Sequence, residues 1–310
     1  HDRARGWVYC QNDYVCYSAP VDDLSDWRYE GVIYKTDDDP MNQREDANGN
    51  LYAPDVTQGA DGRYYLYYCL SDRSCVGVAV SDTPGGKYSF YGNVQYEDGT
   101  LLGMAEDDDH QFDPAVLLED GKVYLYTGFC SPNMEERPGA MCTVLADDML
   151  TIIEKPKYVL PSKTHAKGTG FEQNAYFEAP SIRKVDNEYY LIYSSVQMYE
   201  LCYARSHDPR GPFTYGGVII SNNDLGISHD KPADLPRYFG GNNHGGIEEI
   251  NGQWYIFYHR HTHGTNYSRQ AMAEKIEILD NGDIPQVEMS SCGLNGGPLE
   301  AKGTFPASIC

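Results

Sequence analysis

The chain has 310 residues, 41% of them hydrophobic and 23% charged, and these proportions argue against a mainly disordered protein. Its 24 basic and 46 acidic side chains give a net charge of −22, so nucleic acid and anionic membrane surfaces are not expected partners. No stretch approaches 18 consecutive apolar residues, and the sequence therefore predicts no membrane-spanning segment.

The first predicted elements are two short strands, at residues 7–9 and 14–18, in a unit that ends near Asp26 and Trp27. Both segments are apolar and aromatic. Tyrosine dominates the aromatic residues of the whole chain, with 27 Tyr against 9 Phe and 3 Trp. Because tyrosine suits half-buried strands and can stack on sugar rings, this composition favours β structure and a polar ligand.

Four later segments repeat one pattern, in which a polar turn precedes an aromatic strand. They span residues 61–68, 120–126, 186–193 and 251–258. Their aligned tyrosines, at positions 65, 124, 190 and 255, are 59, 66 and 65 residues apart. Asp-Gly and Asn-Gly pairs in three of the turns predict tight hairpins, and further strands are expected at 76–80 and 201–205.

Several-stranded units at a period of tens of residues predict a β-propeller, whereas a parallel solenoid has much shorter repeats. Counting the first sixty residues as part of a fifth unit, we predict an all-β, five-bladed propeller. The repeat spacing places the first aromatic strand before His1, so the first blade is expected to be incomplete. Residues 1–310 are predicted to form a single domain, with about 285–310 as a C-terminal extension packed on it.

A polar residue occupies a similar place in each repeat, 10–12 residues before the aligned tyrosine. These residues are Asp55, Asp113, Glu178 and His244. The innermost strands of a propeller line one central channel, so the four side chains are expected to face one another there. Like charges that meet raise the pKa of at least one carboxyl, which is how a neutral general acid arises at working pH.

Several motifs around these positions resemble glycoside hydrolase family 43. The motifs are Ala53-Pro54-Asp55, Phe112-Asp113-Pro114, Phe177-Glu178-Ala179-Pro180, Gly241-Asn242-Asn243-His244-Gly245, Tyr258-His259-Arg260 and Ser268-Arg269-Gln270. The resemblance extends over about residues 1–290. It implies a five-bladed propeller that cleaves arabinofuranosyl or xylosyl linkages with inversion.

The resemblance also implies roles for individual residues. Glu178 is the expected general acid, and Asp113 the expected carboxylate that tunes and orients it. Arg269 is expected to contact substrate, and His244 to help hold a hydrated calcium ion. The family's general base is an Asp of the first blade, which the repeat spacing places upstream of His1.

Three further residues are expected in the substrate funnel. Asp55 would line it in register, and Phe112 and Phe177 would stack against sugar. We therefore predict an exo-acting α-L-arabinofuranosidase and/or β-D-xylosidase that acts on hemicellulose-derived oligosaccharides. The sequence does not decide between arabinose and xylose as the preferred sugar, and it does not settle exo against endo action. The alternative is a propeller that binds pentose-containing glycans but lacks the base and does not cleave them.

Other signals concern cysteines and metals. Most of the nine cysteines lie in apolar runs and their number is odd, which favours free thiols over disulfides. Free thiols, together with the lack of a signal-peptide pattern, predict a cytoplasmic protein. The acidic runs at 37–39 and 107–109 lack EF-hand spacing and are predicted to be solvated loops. His259, His261 and His263 lack a third zinc ligand at a defined spacing and are expected at or behind the funnel rim.

Overall fold

The computed structural model describes residues 9, 12–44, 48–130, 137–223, 240–290, 292–294 and 301–304. Within them the fold is all-β, with two short 3₁₀ turns at Thr36–Asp38 and Pro40–Gln43 as its helical elements. The predicted strand at 7–9 lies outside the described residues except for Tyr9. The predicted strand at 14–18 is confirmed, since β1 has those bounds.

Among the described residues, seventeen strands form five antiparallel sheets in chain order. The sheets are β1 (Tyr14–Ser18) and β2 (Arg28–Tyr34); β3 (Leu51–Gln58), β4 (Tyr64–Leu70), β5 (Val76–Ser81) and β6 (Ser89–Asn93); β7 (Ala115–Glu119), β8 (Lys122–Thr127), β9 (Gly139–Leu145) and β10 (Ile152–Pro161); β11 (Tyr176–Val185), β12 (Glu188–Ser195), β13 (Glu200–Ser206) and β14 (Thr214–Ser221); and β15 (Gly245–Ile250), β16 (Gln253–His261) and β17 (Arg269–Ile276).

The four larger sheets are blades of a β-propeller arranged in a ring. Their first strands contact one another in sequence, β3 with β7, β7 with β11, and β11 with β15. The aromatic repeats form the second strand of each blade, as predicted. Four blades are observed among the described residues, together with the two-stranded sheet β1–β2, so the count of five stays a prediction.

Turn chemistry explains the tight connections between first and second strands. Asp120-Gly121 and Asn251-Gly252 each form a two-residue turn in which both residues have positive φ, between 49° and 79°. Mirror-type turns of this kind match the twist of the strands that they join. The predicted tight turn at Asp61-Gly62 is wrong, because five residues connect β3 to β4, closed by a hydrogen bond of 2.8 Å from Gly59 N to Arg63 O.

Buried side chains join each sheet to the next one along the chain. Ile33 and Tyr34 of β2 pack on the second sheet, and Tyr67 of that sheet shares a cluster with Val116 of the third. The third and fourth sheets, and the fourth and fifth, are joined in the same way. Most of the tyrosines in the second strands are therefore core residues, and the hydrophobic contribution to stability lies mainly between blades.

The acidic runs are more structural than predicted. Asp39 is almost fully buried, caps the second 3₁₀ turn by accepting from Met41 N at 2.7 Å, and accepts the hydroxyl of Tyr68. Asp108 accepts from the Tyr96 hydroxyl at 2.6 Å. Solvated loops were thus the wrong interpretation for these two carboxylates, because each accepts a hydrogen bond from a tyrosine hydroxyl that the acidic run itself does not reveal.

The remaining features concern the C-terminal part and the cysteines. Val287 N donates to Ile219 O at 2.9 Å, and Met289 is buried against the last two blades, so this stretch packs on the propeller. All cysteines within the described residues are free thiols. No helix in the described part of the chain is long and apolar enough to cross a membrane.

Candidate active site

A cavity of about 1030 Å³ lies where the first strands of the blades converge. Six of the seven residues predicted for the site line it: Phe112, Asp113, Phe177, Glu178, His244 and Arg269. Asp113, Glu178 and His244, which come from three different blades, thus lie around one cavity, whereas Asp55, the seventh predicted residue and the fourth of the repeat, is not among its described lining residues.

Local backbone distortion turns the key carboxylates away from the regular pleat. Asp113 (φ 48°) comes two residues before β7, and Ala179 (φ 63°) directly follows Glu178 within β11. The pairing of β11 with β12 shifts register between Glu178 and Ser181, which marks a β-bulge. Bulges redirect side chains, and left-handed non-glycine residues are costly enough to be concentrated at functional sites.

The same distortion recurs in the blade that carries Asp55, where Ala53 has a φ of 33° and the register shifts between Tyr52 and Asp55. The sequence contains a signal for both bulges, because Ala53-Pro54 and Ala179-Pro180 place proline inside a predicted inner strand. Proline cannot donate to a strand ladder and is tolerated at bulges.

Burial of two carboxyl groups dominates the electrostatics. Asp113 is 4% exposed and Glu178 is 8% exposed. Desolvation raises the pKa of Glu178 to about 7, against the opposing effects of a hydrogen bond from Asn242 and the charge of Arg269. Desolvation, followed by the negative charge of Glu178, also raises the pKa of Asp113 well above its usual range. A carboxyl with a pKa near 7 can hold a proton at neutral pH, as a general acid must.

Asp113 is fixed by the next blade along the chain. Its Oδ2 accepts from Ala179 N at 3.1 Å, and this amide belongs to the residue that follows Glu178. Nδ1 of His244 lies 3.9 Å from the same oxygen. Burial, together with the charge of Arg269, lowers the pKa of His244 to about 4, so its imidazole is neutral at pH 7. One hydrogen bond thus ties the positions of the two carboxyl groups together.

Asp55 makes comparable backbone contacts but with both oxygens. Oδ1 accepts from Val56 N at 3.0 Å, and Oδ2 accepts from Val116 N of the next blade at 2.8 Å. Burial raises the pKa of Asp55, with Arg183 opposing the rise. Its predicted contact with substrate stays a prediction, and these hydrogen bonds favour a structural role between two blades.

Arg269 begins β17 and supplies positive charge to the cavity. Its guanidinium lies 5.6 Å from the ring centroid of Tyr9, a residue that also lines the cavity. Desolvation raises the pKa of Tyr9. Sequence reasoning did not identify Tyr9 as a site residue, because it was counted only as part of a predicted strand.

Aromatic rings form a continuous wall on one side of the cavity. Tyr52 and Phe112 have ring centroids 5.7 Å apart, Phe112 and Phe129 are 5.2 Å apart, and Phe129 and Phe177 are 5.4 Å apart. Phe112 and Phe177 were predicted from the sequence to stack against sugar, whereas Phe129 was not predicted as a site residue. Apolar ring faces beside acidic groups suit the faces and hydroxyls of a sugar.

The metal ligands available near His244 are few. No group of three or more His, Cys, Asp or Glu side chains among the described residues could hold a metal ion. Asn243 is fully buried, and neither of its side-chain polar atoms has a partner within the described part of the chain. Since calcium takes six to eight oxygen ligands, an ion held beside these residues would have to keep most of its water.

Comparison with known proteins was made on the sequence and on the fold. The family model of Glycosyl hydrolases family 43 matches residues 12–284. A xylosidase/arabinosidase of Thermoclostridium stercorarium is 61% identical over 309 residues, which is 100% of this chain and 65% of that protein. A xylosidase/arabinosidase of Bacteroides ovatus is 30% identical, over 80% of this chain and 74% of its own length.

Comparison with solved structures also finds family 43 enzymes. A GH43 enzyme from Xanthomonas citri superposes with a TM-score of 0.71 at 25% identity, covering 93% of this chain and 85% of that one. A GH43 β-xylosidase/α-arabinofuranosidase from a compost microbial metagenome, in complex with xylotriose and calcium-free, has a TM-score of 0.64 at 27% identity, covering 84% and 79%.

Proposed function

Because this chain belongs to glycosyl hydrolase family 43, we propose that its cavity hydrolyses terminal α-L-arabinofuranosyl and/or β-D-xylosyl linkages in hemicellulose-derived oligosaccharides. The observation that carries the proposal is a buried carboxyl, Glu178, with a pKa raised to about 7 beside a second buried carboxyl. The relatives' names and the xylotriose bound by a structural neighbour support a pentose-containing substrate.

Glu178 is the general acid in this mechanism. Its protonated carboxyl donates a proton to the leaving oxygen while the glycosidic bond breaks, and water attacks from the opposite face to give the inverted sugar. Inversion requires a base about 6.5–9.5 Å from the acid. The base is the first-blade carboxylate predicted from the family resemblance, and neither Asp113 nor Asp55 is assigned to that role.

Asp113 and Arg269 set the state of the acid. The negative charge of Glu178 raises the pKa of Asp113; the interaction acts in both directions, so an ionised Asp113 would favour the protonated form of Glu178. The positive charge of Arg269 favours the ionised form of Glu178. The aromatic wall and the neutral imidazole of His244 would contact the sugar, which places its glycosidic oxygen near Glu178. The exo action proposed for the site would need the cavity to be closed beyond the terminal sugar.

Two further proposals concern architecture and metal. We propose that β1 and β2 are outer strands of a fifth blade, since they pack on the β3–β6 sheet as successive blades pack on each other. We also propose that His244 helps hold a hydrated calcium ion, which would supply positive charge to the cavity. A loss of turnover with EDTA that added calcium restores would support that ion, and unchanged turnover after exhaustive chelation would contradict it.

The proposed activity is tested by Glu178→Gln in the full-length protein. Proton transfer typically contributes about 10²–10⁴-fold, so hydrolysis of xylobiose and of arabinosylated xylo-oligosaccharides should fall by about that factor while the substrates still bind. Hydrolysis of the 4-nitrophenyl glycosides should fall less, because nitrophenolate is a weak base that leaves without a proton.

Glu172→Gln is the matched control, since Glu172 is an exposed carboxylate on the loop before β11. It should retain the parent's turnover. Binding of these oligosaccharides without release of any monosaccharide by the full-length parent would reject the hydrolase and leave a binding protein. Activity of Glu178→Gln within a few-fold of the parent on xylobiose would reject Glu178 as the acid.

A further inference from the structure

Asn242, in the loop before β15, is held by two histidines of β16 and by Asn222, the residue after β14. Its main-chain oxygen accepts from Asn222 Nδ2 at 3.1 Å and from His259 Nε2 at 2.9 Å. Its side-chain Oδ1 lies 3.1 Å from Nε2 of His261, and Asn222 and His261 are almost fully buried. The loop residue is therefore fixed at both its backbone and its amide group.

The hydrogen-bond directions follow from the chemistry of each atom. A carbonyl oxygen only accepts, so the contact with Asn242 O shows that the Asn222 nitrogen faces this loop. The same nitrogen lies 3.5 Å from Nδ1 of His261, which makes Nδ1 an acceptor and places the imidazole proton on Nε2. Nε2 then donates to Oδ1 of Asn242, and the Asn242 NH₂ group is left to donate to Glu178.

Close packing shows that the loop is shaped to admit His261. A Cβ on Gly241 would lie 2.7 Å from Cε1 and 2.9 Å from Nε2 of that imidazole, and 2.5 Å from Oδ1 of Asn266. A side chain at position 241 would therefore displace the ring that orients Asn242. Glycine at this position is explained by the approach of His261.

We propose that Asn242 is a positioning residue for Glu178, and that Asn222 and His261 fix the direction in which its amide donates. With the NH₂ group of Asn242 on one carboxyl oxygen, the other oxygen of Glu178 is the one that carries the proton into the cavity. If the amide turned over, its oxygen would face Glu178 instead. This inference rests on the proposed role of Glu178 as the acid.

The first test measures the carboxyl directly and does not require turnover. In protein labelled with ¹³C at glutamate carboxyls, the Glu178 signal is the one missing from Glu178→Gln. Asn242→Leu and His261→Leu should each raise the pKa of Glu178 by about one pH unit, because a hydrogen bond to the ionised form is worth about 1.5 kcal/mol. Asp113, Arg269 and Tyr9, the charged or titratable groups that interact with Glu178, are the same in all variants.

The second test separates positioning from support of the fold. His261→Gln can still donate from its amide to Asn242 and should restore the parent pKa, whereas His261→Leu should not. His207→Leu, at an exposed histidine after β13, is the control and should match the parent. In the kinetics, Asn242→Leu should lower kcat on xylobiose by about 10–100-fold with little change in KM.

A Glu178 pKa that is unchanged in folded Asn242→Leu would overturn the inference, and so would equal effects of His261→Gln and His261→Leu. If the parent protein hydrolyses nothing but the pKa of Glu178 shifts as stated, the proposed activity fails while the hydrogen-bond chain stands.

Discussion

Asp55 and Asp113 lie at similar distances before the aligned tyrosines of successive blades, yet the structure uses them differently. Each accepts a hydrogen bond from a backbone amide of the next blade, Asp55 from Val116 and Asp113 from Ala179. The other oxygen of Asp55 accepts from the amide of its neighbour Val56, and Asp55 is not among the described residues that line the cavity. Asp113 lines the cavity and interacts with Glu178.

The comparison shows that one repeated contact serves both folding and chemistry. A carboxylate between blades links two inner strands in each case. Where the next blade also presents a buried glutamate, that link fixes the distance between two acidic groups. We infer that the catalytic pair uses an inter-blade hydrogen bond that the repeat already contains.

The largest difference is expected when each aspartate loses its charge. Asp113→Asn should lower kcat on xylobiose by about 10–100-fold, because it removes the neighbouring carboxyl that interacts with Glu178. Without a second ionisable carboxyl beside it, Glu178 loses its proton more easily and its pKa falls. Glu178 must be protonated to act, so the fall in rate at alkaline pH should move to lower pH. Asp98→Asn, at an exposed turn, is the control, and an unmoved pH profile in Asp113→Asn would contradict the coupling.

A smaller effect concerns the free energy of unfolding, which the buried Glu178 carboxyl lowers at alkaline pH. Its folded pKa is about 7 and the usual value is 4.5, so the folded state binds the proton more tightly. Stability from this group is complete below pH 4.5 and is lost as pH rises through 7. Glu178→Gln should therefore be more stable than the parent at pH 8 by about 3 kcal/mol, and nearly equal to it at pH 4.

Denaturant unfolding of parent and variant at both pH values measures this difference. Glu172→Gln should gain no stability at pH 8, because hydrogen bonds from backbone amides lower the pKa of Glu172 and favour its ionised form. A Glu178→Gln protein that gains nothing at pH 8 would mean that burial does not oppose ionisation of this carboxyl.

The smallest effect is expected at Asp55. Asp55→Ala leaves the Val116 amide without its acceptor and should lower the free energy of unfolding by about 1–2 kcal/mol, measured in urea. Its kcat should change less than that of Asp113→Asn. A kcat loss equal to that of Asp113→Asn, with stability unchanged, would make Asp55 a substrate contact and remove the contrast between the two positions.

Much of this arrangement could be predicted from the sequence, and the reason is the repeat. Tyr65, Tyr124, Tyr190 and Tyr255 set the register of the second strands, and that register placed Asp113, Glu178 and His244 in one channel. Hairpins with Asp-Gly or Asn-Gly in the two-residue turn were predictable because few residues tolerate positive φ.

What could not be predicted depends on contacts outside the repeat. Asp55 and Asp113 lie at similar distances before their aligned tyrosines, but Asp113 itself has a positive φ, whereas Asp55 comes two residues after left-handed Ala53. The repeat spacing does not show which groups surround each carboxylate after folding. Phe129 and Asn242 were also missed as site residues. Phe129 follows a buried strand, and the role of Asn242 depends on side chains contributed by β16 and by the residue after β14.

The central claim is that Glu178 donates a proton from a carboxyl whose pKa is near 7. The most direct test is the pH dependence of kcat/KM for xylobiose compared with 4-nitrophenyl xyloside, or for the matching arabinosides if those are the substrates. The account predicts that the natural linkage loses rate above about pH 7 while the nitrophenyl glycoside loses much less. Identical pH profiles for the two substrates, with no fall above pH 7, would contradict it.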